Sequence, residues 1–145
     1  MSATSTLALR APPAADLTAS RIARAMLAGA LLWLLAALFI HYLGPRGAFE
    51  GWRLPLTYAG TVLVTIRSNI ACRRLAGLGA DQALTVVAIG SATALFMDVV
   101  AFAWPDRIYG SDPAVLLGGA VWLLFAIGVA LGLALLTTQR ARTAP

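Results

Sequence analysis

The chain predicts an all-α fold: an integral membrane bundle of four transmembrane helices with both termini cytoplasmic. Three observations carry that expectation. Four apolar stretches fall at about 25–44, 54–72, 83–104 and 113–137. A hydrocarbon core about 30 Å thick takes about 20 helical residues to cross, and each stretch is about that long. Of the 145 residues, 60% are hydrophobic and only 12% charged, with a mean hydropathy of +0.83. A soluble domain carries about 25% charged residues, and a water-filled surroundings would leave too much apolar surface uncovered at this length. Polar or helix-breaking residues separate the stretches: Gly44-Pro45, Arg73-Arg74, and the run from Pro105 to Pro113.

The elements follow in order. Residues 1–20 are rich in Ser, Thr, Ala and Pro without apolar periodicity, and read as a disordered cytoplasmic tail. The first stretch follows Arg21 and Arg24. It is longer than a signal-peptide core and lacks a small-residue cleavage site after it, so it reads as an uncleaved helix. Residues 25–40 read as having no polar side chain, and His41, Tyr42, Gly44 and Pro45 stop the helix. The second stretch is the most polar, with Thr57, Tyr58, Thr61, Thr65, Arg67, Ser68 and Asn69, and Arg73-Arg74 closes it. Pro55 is tolerated near its start, because a first-turn N–H has no helical acceptor. Asp81 reads as the N-cap of the third stretch, which Pro105 ends. Residues 106–112 read as a hydrophilic loop. Asp112-Pro113 then starts the fourth helix, with an acid at the N-cap and proline at the first position. One domain over 21–140 is expected, with a short tail at 141–145.

All eleven basic residues are arginine, which suggests a GC-rich bacterial coding sequence. Their placement sets the expected orientation. Arg10, Arg21, Arg24, Arg73, Arg74, Arg140 and Arg142 lie on one side of the four stretches, against Arg46, Arg53 and Arg107 on the other. The heavier side is the cytoplasm, and the location is the bacterial inner membrane. Arginines scattered over helix ends, rather than gathered with aromatics, do not suggest a nucleic-acid partner.

Polar groups at membrane depth are costly and each asks for an account. Asp98 lies six residues before Trp104, about 9 Å inside the helix end. At that depth it must be protonated, paired or facing water. His41 and Tyr58 fall at a similar depth and complete a candidate polar site able to bind a cation or pass a proton. The same three residues can instead serve as packing hydrogen bonds. Arg67 either snorkels toward Arg73 and Arg74 or reaches Asp98. Gly128 and Gly132 form a GxxxG pattern suited to close helix packing, either within the monomer, the favoured reading, or at a dimer seam. Trp52 and Trp104 read as interface anchors, and Trp33 and Trp122 as bundle filling. The lone Cys72 reads as an inert buried thiol. No nucleophile–base set, phosphate loop or metal-ligand spacing stands out, so neither enzyme activity nor a cofactor is expected.

The run from Asp98 through Phe102-Ala103-Trp104-Pro105, Tyr109, Asp112-Pro113, Gly119 and Trp122-Leu123-Leu124 resembles the C-terminal half of a family of small, uncharacterised four-helix bacterial membrane proteins. That family places a proline after the loop tyrosine, where this chain has Gly110. The resemblance implies four spans and an inner-membrane home, and no activity. The leading expectation is a structural or accessory membrane protein that packs with itself or with another membrane protein in the lipid bilayer. The alternative is a small transporter or proton-coupled carrier using Asp98 with His41 and Tyr58.

Overall fold

A computed structural model of the chain describes residues 17–143. The expected tail at 1–20 lies mostly outside them, as do the last two residues of the expected tail at 141–145. Every regular element among the described residues is helical: α1 (Ala19–Leu43), α2 (Arg53–Ala76), a 3₁₀ turn (Ala80–Gln82), α3 (Ala83–Ala103), a one-turn α4 (Pro105–Ile108) and α5 (Pro113–Thr143). Three helical segments are long and apolar enough to cross a membrane: Ala19–Leu43, Ala80–Ala103 and Pro113–Thr143. α2 is 24 residues long but is not among them.

Helix ends differ from the sequence reading where caps are hidden from a hydropathy argument. α1 starts six residues before its apolar run, because the Thr18 hydroxyl accepts the Arg21 backbone N–H at 3.4 Å. α2 runs through Arg73-Arg74 to Ala76, and Gly77 ends it at φ 66 and ψ 37. That left-handed geometry suits glycine, which has no Cβ to clash. Asp81 does not cap α3. It sits inside the 3₁₀ turn, and the N–H of Leu84 is instead accepted by the Thr138 hydroxyl of α5 at 3.0 Å. Asp112 does cap α5, accepting the Ala114 N–H at 2.8 Å. α5 continues past residue 137 to Thr143.

The helices pack around three clusters. At the α4 end, Ile40, Ala101, Tyr109, Val115, Trp122 and Leu123 form the largest, with Phe39 and Phe49 against it. Phe39 stacks on Trp122 at 4.8 Å between ring centroids. At the other end, Ala25 and Ala28 of α1 meet Cys72, Ala76, Leu78 and Val86, while Ala83 and Val87 of α3 meet Ala134 of α5. The start of α1, the α2–α3 turn and the last turns of α5 therefore share one end of the bundle. Small residues set the closest helix approach. Gly29 of α1 lies against the backbone of Gly90 in α3, where a Cβ has no room. Large apolar side chains cover the outside instead, among them Leu27, Leu35, Leu63, Phe96, Leu117 and Leu124.

Candidate functional site

α3 carries Asp98 into the interior, where it is only 7% exposed. The Trp33 indole Nε1–H of α1 donates to its Oδ1 at 2.8 Å, and the Tyr109 hydroxyl donates to the same oxygen. The second carboxyl oxygen, Oδ2, has no donor among the described residues. A buried charge or polar group without partners is costly, so two donors aimed at one carboxyl oxygen mark a site that favours an acceptor there.

Tyr109 reaches Asp98 because the segment after α3 folds back. Trp104 leaves the helical region at φ −132 and ψ 61, and α4 adds one turn. The N–H groups of Tyr109 and Gly110 both donate to the Pro105 carbonyl, at 2.8 and 2.9 Å. Gly110 then turns the chain at φ 98. Proline is locked near φ −65° and cannot take that conformation. Tyr109 ends 1% exposed, packed on Phe102. Burial pushes its hydroxyl pKa up, and its bond to Asp98 adds to the rise. It therefore stays protonated and serves as a donor.

The expected grouping of Asp98 with His41, Tyr58 and Arg67 does not form. His41 is exposed, with Nδ1 3.0 Å from the Ile108 carbonyl oxygen. Tyr58 packs its ring on Phe125, 4.7 Å between centroids. Arg67 is exposed and makes no ion pair with Asp98. Similar depth is not enough, because each helix also has a rotational phase that turns a residue toward or away from its neighbour. Sequence reasoning took Trp33 as filler and 106–112 as a loop, so both true partners of Asp98 were missed.

A cavity of about 630 Å³ lies between α1, α2, α3 and α5, and Asp98 and Trp33 form part of its wall. α2 contributes Thr57, Thr61, Thr65, Ser68, Asn69 and Cys72, which recur at three- and four-residue steps and so share one face. The most polar helix thus turns its hydroxyls and amide inward. Three of these groups are tied down. Thr57 donates to the Ala48 carbonyl at 2.8 Å, Thr61 accepts the Trp122 indole N–H at 2.6 Å, and Asn69 donates to the Ala130 carbonyl at 3.0 Å. Trp122 is thereby a bonded bridge between α5 and α2 as well as filling. Cys72 is buried and unpaired, as expected. Trp52 and Trp104 are largely exposed at the α4 end.

Gly128 and Gly132 do not pack inside the monomer. Both are exposed, and a Cβ at either would meet nothing within 4 Å. The favoured reading of that motif is therefore corrected: α5 turns it outward, between Leu124 and Leu135. No group of three or more His, Cys, Asp or Glu side chains able to hold a metal occurs among the described residues. No protein-family model, curated protein or solved structure matches the chain.

Proposed function

We propose that this chain is a four-span protein of the bacterial inner membrane whose interior binds, and passes across or within the bilayer, a small and mostly apolar molecule. The observation that carries the reading is the cavity of about 630 Å³ with a buried carboxylate in its wall. Small-molecule sites are concave spaces of about 300–1,000 Å³, mostly apolar, with a few placed polar groups. α2 supports a fourth crossing despite its composition. Its threonine and serine hydroxyls line the interior, while Leu54, Leu63 and Ile66 face outward. A helix in lipid needs an apolar exterior, not an apolar whole. The arginine count supports cytoplasmic termini. The role is binding or carriage rather than catalysis, and Asp98 acts with Trp33 and Tyr109.

The test is native mass spectrometry of the protein extracted in mild detergent from its own membranes. Wild type should carry a bound small molecule. A variant filled at Gly60→Leu and Ala126→Leu, both lining positions, should fold and lose it. Wild type without any such adduct would sink the reading.

A second reading has its own observation. The outward Gly128 and Gly132 leave room for a second helix to approach closely, as an accessory protein associating with itself or a membrane partner needs. Crosslinking in native membranes tests it: Gly128→Leu with Gly132→Leu should abolish a reproducible adduct.

A further inference from the structure

We infer that the molecule held in the cavity is a lipophilic organic cation, an amine with an apolar body, and that it enters sideways from the bilayer between α1 and α2. The inference rests on the cavity reading above and adds charge and route to it.

The charge comes from Asp98. Asp98 is a buried residue and lines the cavity. Both protein donors converge on Oδ1, and Oδ2 receives none from the described residues. No side chain of the packed elements supplies a countercharge. On α1, His41 is taken up by the Ile108 carbonyl. Arg67 of α2 and Arg107 of α4 are exposed, and the arginines of α5 lie in its last turn at the far end. A buried carboxylate without a countercharge is costly, and a cation beside Oδ2 offsets that cost. A simple metal ion is the poorer occupant. It would ask for several oxygen ligands, and the walls around Asp98 are mainly alkyl and aromatic. Trp33 and Trp122 line the same space, and aromatic walls attract an organic cation. The cavity also runs along α3 from Asp98 to Val86, twelve residues or about 18 Å. An apolar chain attached to the cationic head has space to lie there.

The route comes from exposure. The exposed members of the lining are Leu32, Leu35, Leu56 and Val64, at 37%, 63%, 60% and 63%. All four belong to α1 and α2, and the α3 and α5 walls are buried or half-buried. The opening therefore faces the lipid through the α1–α2 gap. Gly60 stands in that wall, and a Cβ there would meet nothing within 4 Å.

Dodecylamine and 1-dodecanol, each bearing a diazirine on the alkyl chain, test this with the full chain in lipid nanodiscs. After irradiation, labelled residues are mapped by mass spectrometry. The amine should label the lining, including Thr61 and Ala94, about tenfold more than the alcohol, the margin of a charged over a neutral hydrogen bond. Asp98→Asn should remove that excess, and Gly60→Leu should lower labelling by both probes. Equal labelling by amine and alcohol in wild type overturns the cation while leaving the cavity reading intact. Lining residues untouched by either probe overturn the cavity reading itself. Unchanged labelling in Gly60→Leu, confirmed folded by circular dichroism, overturns the lateral route. The amine-to-alcohol comparison needs no variant, so it stands even where Asp98→Asn fails to fold.

Discussion

Asp98, Trp33 and Tyr109 act as a unit because two donors share one oxygen. Trp33→Phe removes an N–H from a carboxyl group, a loss of about 1.5–3 kcal/mol where that group is charged. Tyr109→Phe should cost a similar amount. Either donor alone still partly satisfies Oδ1, so the double variant should lose more than the sum of the singles. Thermal unfolding in detergent measures this, and simple additivity would count against a shared oxygen. Trp122→Phe should be milder, about 0.5–1.5 kcal/mol, since the Thr61 hydroxyl keeps its own bond to the Thr57 carbonyl. The acid at position 98 was legible as an anomaly, because a carboxylate at membrane depth demands a partner. Which partner was not legible, since Trp33 is 65 residues away and an indole has no polar signature in a hydropathy profile.

At the scale of elements, the glycines separate into two kinds. Gly29→Ala should force α1 off the Gly90 backbone, costing about 1–3 kcal/mol as overpacking does. Gly128→Ala, with open space around it, should stay within about 0.5 kcal/mol. Chemical unfolding of the two variants checks the contrast, and equal losses would contradict the α1–α3 crossing. Thr138→Val should cost about 0.5–2 kcal/mol, as the loss of an N-cap does, because the Thr138 hydroxyl serves Leu84 at the start of α3. The Asp112-Pro113 start was readable, since that cap is local in sequence. The cap on α3 was not, since its acceptor comes from another helix. Small residues likewise announce that helices can approach, but not which face of α5 meets a neighbour.

For the molecule as a whole, the proposed four-span topology makes a direct prediction. In a Cys72→Ser background, single cysteines at the exposed positions Glu50, Asp106 and Gln139 report sidedness. A membrane-impermeant maleimide added to intact cells should label positions 50 and 106 and leave 139 untouched. Labelling of 106 and 139 from the same side would remove the α5 crossing, and labelling of 50 and 106 from opposite sides would remove either α2 or α3.

The length and apolar character of the chain's stretches determined the secondary structure. With so little charge and such long apolar runs, the backbone must satisfy its N–H and C=O groups inside each segment, and a helix does that by local bonds alone. The positions of the four long helices were readable for that reason, and α3 matches to within a residue. Only the tertiary structure decided what the interior holds. The phase of each helix turned the hydroxyls of α2 inward, sent His41, Tyr58 and Arg67 to other surroundings, and brought Trp33 and a folded-back Tyr109 to Asp98. Those pairings depend on rotation and crossing of distant segments, which hydropathy leaves open for α1, α3 and α5, where every face is nearly equally apolar.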